Sequence, residues 1–237
     1  MRSLITAAFL ALCGCASHAL IPTEQRGALE RDLTGKNRDK YLRLSYYVTP
    51  FFGDASKRLL TPVPPGEVRL LNHPNGDPVN PGKVEKILPA GTRARITKVE
   101  FPTAWVIAER VVYTPRTQPW VYLEVEGHPQ EVPLVLVLRP HIKDEQEFLA
   151  ELERYLAHED LAPLLAGWTE AVREAIRGKS ATLDMPAEAL EMAWGYPERK
   201  RIRFEESVKN EEWAYPGGKR TAYLTEGRVV RLAGEEN

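Results

Sequence analysis

Histidines are the side chains of this sequence best suited to hold a metal or to move a proton at neutral pH. The five histidines are His18, His73, His128, His141 and His158. No two of them lie two or four residues apart, so their spacing predicts neither a zinc site nor a metalloprotease helix. The best grouping is His158-Glu159-Asp160, but Asp160 is placed to cap the helix after it. We therefore predict no metal site and no cofactor.

Two glutamate pairs, Glu205-Glu206 and Glu211-Glu212, flank a predicted turn. General acid–base catalysis needs two carboxyl groups whose surroundings separate their pKa values. A solvated hairpin end, balanced by the basic stretch Arg199–Arg203, is the simpler interpretation. Gly178-Lys179-Ser180 matches the end of a phosphate-binding loop, but Arg173 stands at the position of that loop's first glycine. We predict no catalytic residues, and a secreted hydrolase with a site assembled from distant carboxylates or a histidine stays open as the alternative.

Aromatic and basic residues near the C-terminus give the candidate binding surface. Trp213 and Tyr215 alternate along one predicted strand, and Tyr223 lies in the next one. Such residues are either core anchors or a platform for a ligand. Arg199 and Arg201 begin a strand whose cations either protect a solvated edge or meet acidic groups, such as lipid phosphates or a cell-wall polymer.

Composition excludes several classes of protein. Lys plus Arg is 32 against 33 for Asp plus Glu, a net charge of −1, whereas a general nucleic-acid binder carries a basic excess. We therefore expect no nucleic-acid partner. The two cysteines, Cys13 and Cys15, cannot form a disulfide framework for a chain of 237 residues.

The first residues have the order of a secretory signal. Arg2 precedes the apolar run from Leu4 to Leu12, which is too short to span a bilayer. Leu12-Cys13-Gly14-Cys15 also resembles the bacterial lipobox. The resemblance implies a lipoprotein signal peptide over residues 1–14, cleavage between Gly14 and Cys15, and acyl chains on Cys15. Cys13 fits less well because the large Leu12 occupies its small-residue position. Residue 16 is not the Asp that retains such proteins in the inner membrane, so the resemblance implies the periplasmic face of the outer membrane.

The elements that would position these residues indicate an α+β chain. We expect a tether and irregular segment over residues 15–66, with a helix over 24–33 and a strand over 41–48. Residues 67–140 predict a β-rich barrel or sandwich, because short apolar strands alternate with Pro- and Gly-rich turns. The strand candidates are 67–71, 83–88, 92–100, 105–113, 120–126 and 132–139. Residues 87–96 resemble the opening strand of bacterial SH3-like domains.

Residues 141–237 predict helices followed by a small antiparallel β-meander. Asp144 and Asp160 are placed to cap helices over 143–156 and 160–178. Gly195 and Pro197 end a third helix that begins near Pro186. Strands are expected over 199–206, 211–215, 220–225 and 228–232.

This C-terminal pattern resembles the BamE/SmpA family of small outer-membrane lipoproteins. The matching positions are Met185, Leu190, Gly195, Pro197, Trp213, Tyr215, Gly227 and Val229. Asp184 and Pro186 depart from the pattern at the helix start. The resemblance implies helices packed on one face of the meander. The sequence thus predicts a non-enzymatic, lipid-anchored envelope protein that binds other envelope proteins or peptidoglycan.

Overall fold

Residues 18–234 are described by a computed structural model. They form an eight-stranded sheet, a four-stranded sheet and six α-helices. The helices are α1 (Thr23–Thr34), α2 (Ala104–Glu109), α3 (Glu145–Glu153), α4 (Ala162–Ala166), α5 (Glu170–Gly178) and α6 (Ala187–Trp194). The strands are β1 (Asp39–Leu42), β2 (Tyr46–Phe51), β3 (Asp54–Thr61), β4 (Lys86–Leu88), β5 (Arg93–Glu100), β6 (Trp120–Val125), β7 (Leu134–Val137), β8 (Leu156–Ala157), β9 (Arg199–Glu205), β10 (Val208–Ala214), β11 (Arg220–Thr225) and β12 (Arg228–Gly234). The α+β class is confirmed.

The first eight strands form one sheet in the order β4-β2-β3-β7-β6-β5-β1-β8. All neighbours are antiparallel except β3 and β7, which run parallel. The main apolar core runs from Ile21 to Leu156 and joins α1 and α3 to this sheet. A smaller cluster around Phe51, Trp120 and Val135 contains further buried side chains of the same strands. The large sheet therefore draws on residues before, within and after the predicted β-rich region.

The expectation of a tether and irregular segment over residues 15–66, with only a helix and one strand in it, is wrong for most of residues 49–61, which lie in β2 and β3. The predicted helix over 24–33 is confirmed as α1, but the next residues form β1, β2 and β3 inside the large sheet. The predicted strand over 41–48 is divided in two. Its break lies at Ser45, whose backbone N–H donates to Met192 O at 2.7 Å instead of continuing a strand ladder. A contact with the C-terminal half of the chain thus overrides the local strand pattern.

Between residues 67 and 140, β5 and β6 match the predicted strands, while β4 is the last part of the strand predicted over 83–88 and β7 the centre of the one predicted over 132–139. The predicted strand over 105–113 is wrong. Thr103 Oγ1 accepts from Val106 N at 3.3 Å and starts α2 instead. The predicted strand over 67–71 is also wrong, because a 3-10 helix ends at Glu67.

The C-terminal elements follow the prediction closely. Asp144 caps α3, and Asp160 accepts from Ala162 N at the start of α4. The long helix expected over 160–178 is two helices, because Thr169 caps α5 anew. Strands β9 to β12 form a meander in the order β12-β11-β10-β9. A second core packs α5 and α6 on one face of this meander.

Within residues 18–234, no helix combines the length and the apolar character needed to cross a membrane. The predicted signal peptide, Gly14 and the predicted lipidation site Cys15 lie outside the described residues.

Candidate functional site

Trp213 and Tyr215, the centre of the predicted binding surface, face the core of the C-terminal module. Trp213 is 2% exposed, and its indole Nε1 donates to the Glu211 carboxylate at 3.0 Å. Tyr215 is fully buried, and its ring meets that of Trp194 edge-on with centroids 5.1 Å apart. The expectation that these two residues form a binding platform is therefore wrong. Their core role follows from the second apolar cluster, to which both belong.

Tyr223, Arg199 and Arg201 lie on the opposite, outer face of the same sheet. Glu212 pairs with Tyr223 on one side and with Arg201 on the other, so the three side chains share that face. The Arg201 guanidinium meets the Glu212 carboxylate at 3.4 Å. The Arg231 guanidinium lies 3.5 Å from the centroid of the Tyr223 ring. The predicted surface residues therefore divide into a buried pair and an exposed, basic outer group.

Strand β9 is exposed along all seven residues, and its free side is one end of the four-stranded sheet. We call this strand, Arg199–Glu205, the β9 edge. Within residues 18–234 no strand pairs with its outer side. Its apolar side chains face the helical side of the sheet but extend past the helices, which leaves Phe204 70% exposed and Ile202 51% exposed. An open strand edge with uncovered apolar residues is a template for pairing with another extended chain.

The charges of the β9 edge are mostly positive. Four cations stand in this strand against one carboxylate, Glu205. Lys200 pairs with Glu191 at 2.6 Å and Arg201 with Glu212. In the part of the chain that the structure describes, Arg199 and Arg203 have no ion-pair partner. Two guanidinium groups on the outer face are therefore free to meet carboxylates of a partner.

A second polar cluster lies at the seam between the large sheet and the C-terminal module. The backbone N–H, the carbonyl and the hydroxyl of Ser45 all form hydrogen bonds there. In addition to the N–H bond to Met192, its hydroxyl donates to Ile176 O at 2.6 Å and accepts from Ala90 N at 3.0 Å. Its carbonyl accepts from Lys179 Nζ at 2.6 Å, and the same ammonium donates to Ala193 O at 2.7 Å. These bonds fix α5 and α6 against the break between β1 and β2.

The seam also contains a buried ion pair. Arg220 donates through Nε and Nη2 to the two carboxylate oxygens of Glu67 at 2.8 and 2.7 Å. Its guanidinium also stacks 4.7 Å from the Trp194 ring centroid and 4.9 Å from that of Tyr215. A bidentate pair of this kind holds a planar geometry that a lysine could not reproduce. The pair connects the 3-10 helix after β3 to the start of β11.

Two cavities flank this ion pair. The larger, about 440 Å³, lies beside β3 and the residues after α6 and includes Glu67 in its wall. The smaller, about 230 Å³, is lined by Tyr47, Lys179, Trp194 and Arg220. Burial holds the pKa of Lys179 well below its usual value, and nearby Arg220 adds to the effect. Because the Lys179 amino group donates to two backbone carbonyls that close the seam, the structure gives it a structural role.

The carboxyl groups of Glu211 and Glu212, adjacent in sequence, do not come together. Glu211 faces the core and Glu212 faces outward, because neighbouring residues of a strand point to opposite faces. Burial opposes ionisation of Glu211, but hydrogen bonds from Lys209 and Trp213 outweigh it and hold the pKa of its carboxyl below the usual value. Glu211 is therefore an ionised acceptor inside a packed module.

His158, the histidine of the best sequence grouping, makes a contact at the surface. His158 Nδ1 lies 2.9 Å from Lys40 Nζ, and His158 Nε2 lies 3.6 Å from the Glu153 carboxylate. The imidazole and Glu153 are about half exposed, so this group is open to water. Among residues 18–234, no three His, Cys, Asp or Glu side chains are grouped as metal ligands. His158 thus contacts Lys40 and Glu153, and Asp160 caps the next helix as predicted.

Sequence reasoning missed the seam. Glu67 was expected to begin a strand and Arg220 to be an ordinary strand residue, and Lys179 drew attention only as part of a phosphate-loop pattern. Their partners lie more than 130 residues away along the chain, except Ala193. No local spacing signals such contacts.

No protein-family model, no curated protein and no solved structure matches this chain.

Proposed function

We propose that this chain is a lipid-anchored envelope protein whose C-terminal module binds a partner protein through the β9 edge. The exposed β9 edge is the observation that carries the proposal, because it combines an unpaired strand side, two uncovered apolar side chains and two free guanidinium groups. An extended partner segment adds a strand through main-chain hydrogen bonds, and alternate side chains give specificity. Charge complementarity favours a segment in which acidic residues alternate with apolar ones.

A second copy of the same strand is a poor partner for the β9 edge. Antiparallel pairing of two copies centred on Ile202 would place Arg201 of one opposite Arg203 of the other, and only the terminal Arg199 and Glu205 would attract each other. Like charges directly opposite each other destabilise a strand pair. An acidic partner segment gains ion pairs at the same positions.

The lipobox-like sequence supports anchoring through Cys15. Acyl chains contribute about 0.8 kcal/mol for each buried CH₂, so two or more chains hold a protein stably at a bilayer. We expect Cys15→Ala to release the protein from the outer-membrane fraction, and Cys13→Ala to leave it bound. Release by Cys13→Ala with retention of Cys15→Ala would contradict the assignment.

Two fold resemblances belong to the same proposal. The BamE/SmpA type of module is supported by two helices packed on one face of a four-stranded meander. The SH3-like barrel has less support, because the order of the described strands in the large sheet has two ends, β4 and β8, and includes strands from before residue 67. The α+β arrangement itself does not depend on either resemblance.

Chemical crosslinking in intact envelopes, followed by purification of the chain, tests the binding function. The test variant is Ile202→Thr with Phe204→Thr, since threonine keeps the strand preference but removes the apolar surface. The matched control is Val230→Thr, which removes an exposed apolar side chain from the opposite edge strand β12. We expect the double variant to lose one or more envelope proteins that wild type and control retain.

Equal recovery from all three proteins would contradict the proposal. Recovery of peptidoglycan alone, unchanged by the double variant, would place the partner in the cell wall and away from the β9 edge.

A further inference from the structure

A second exposed apolar surface lies far along the chain from the β9 edge. Helix α2 and the loop after it expose Trp105 to 73% and Tyr113 to 77%, with Val111 and Val112 between them. We call these four residues the aromatic patch. Single exposed apolar side chains are common, but several large ones grouped on a short stretch of chain mark a contact surface.

The loop after α2, which carries three of the four patch residues, is held by several hydrogen bonds. Arg110, whose side chain is almost fully buried, donates through Nη1 to Arg116 O at 2.7 Å and to Gln118 O at 2.8 Å. Its guanidinium also pairs with Glu100 at 3.2 Å and stacks 3.6 Å from the centre of the Trp120 ring. Thr114 Oγ1 closes the turn by donating to Val111 O at 2.7 Å. These contacts fix the conformation of the loop, so the exposure of its apolar side chains is not the result of poor packing of the loop itself.

The first described residue, His18, lies close to the start of α2. The backbone N–H of His18 donates to Pro102 O at 3.0 Å, two residues before α2 begins. His18 follows Cys15 by three residues, a span of at most about 11 Å in a fully extended chain. A body held through Cys15 therefore keeps the start of α2 near the bilayer surface.

We propose that the aromatic patch inserts into the lipid surface next to the acylated Cys15 and fixes the orientation of the folded body on the membrane. The inference rests on the anchoring described under the proposed function. Trp and Tyr are the residues that settle at the boundary between headgroups and acyl chains, because their rings are apolar with one polar edge. Glu109 is exposed on the same helix, so the contact depends on apolar insertion and not on attraction to anionic headgroups.

Site-specific fluorescence on the acylated protein tests this placement. The mature chain has no cysteine besides Cys15 if cleavage follows Gly14, so Val112→Cys supplies a single reactive thiol for an environment-sensitive NBD label. Val230→Cys is the matched control, an exposed valine on strand β12. Both proteins are reconstituted into vesicles of phosphatidylethanolamine and phosphatidylglycerol, with and without a doxyl-labelled lipid as quencher.

We expect the label at residue 112 to shift to the blue on reconstitution and to be quenched several-fold more strongly by the doxyl lipid than the label at residue 230. High salt should leave the difference unchanged. Equal quenching at the two positions would overturn the proposal, and so would a blue shift at residue 112 without lipid quenching, which indicates cover by protein. The mass of the Cys15 peptide from the same sample reports acylation separately, so a failure of anchoring is distinguished from a failure of insertion.

Discussion

Removing the charge of Glu67 should be the most damaging conservative change in the seam. Glu67→Gln keeps the shape of the side chain but leaves the Arg220 guanidinium buried without its counter-ion, beside Trp194 and Tyr215. Both partners of the pair are less than a tenth exposed, so water cannot replace the lost carboxylate. Breaking a buried pair in this way costs about 3–5 kcal/mol. For a chain of this size that cost lowers the melting temperature by about 6–20 °C.

Urea unfolding of wild type and variant measures this cost. The control is Asp39→Asn, which breaks the exposed pair of Asp39 with Arg95 at 3.3 Å and should cost less than about 1 kcal/mol. The double variant Glu67→Gln with Arg220→Met removes the orphaned charge and should be less destabilised than Glu67→Gln alone. A loss below about 1 kcal/mol for Glu67→Gln, equal to that of the control, would refute the role given to this pair.

Three further predictions concern the C-terminal module and the seam. Trp213→Ala should cost about 3–5 kcal/mol of stability, whereas Tyr223→Ala on the outer face should cost much less. Equal melting temperatures for the two variants would contradict the assignment of the two residues to opposite faces. Gly195→Ala should destabilise by about 1 kcal/mol or more, because Gly195 has a φ of 84° and a Cβ there would lie 3.2 Å from Pro62; unchanged urea unfolding would argue against this geometry. Burial lowers the pKa of Lys179, so the unfolded chain binds this proton more readily than the folded chain, and stability should rise with pH toward the usual value of 10.5. Urea unfolding at pH 7.5 and about 9.5, below the usual tyrosine pKa, should show this rise in the free energy of unfolding of wild type and a smaller rise for Lys179→Met. An equal rise in the two proteins would contradict the lowered pKa of Lys179.

The C-terminal meander could be predicted from sequence because its signals are local. Gly195 and Pro197 end a helix, and short turns separate four strands that alternate in character. The same alternation could not tell whether Trp213 and Tyr215 face the core or the solvent. That depends on which face of the sheet α5 and α6 cover, and this is decided by contacts between distant parts of the chain.

The N-terminal half shows why the rest was missed. Residues 49–61 lie beside Pro-rich segments and were expected to be irregular, yet most of them belong to β2 and β3 of the large sheet. Thr103 turned an apolar run that suits a strand into a short helix by capping it. The proposed role of the exposed aromatic residues in that segment depends on the hydrogen bond between His18 and Pro102. Long-range hydrogen bonds of this kind leave no trace in residue spacing.

The proposed function requires that an extended acidic segment of a partner occupies the β9 edge of the anchored protein. A photo-crosslinking amino acid at position 204, activated in intact envelopes, tests this occupancy, with position 84 as an exposed control just before β4 of the large sheet. We expect position 204 alone to give a specific crosslinked protein, with the attachment point in a segment where acidic and apolar residues alternate. The same products from both positions, or no product from position 204, would contradict the claim.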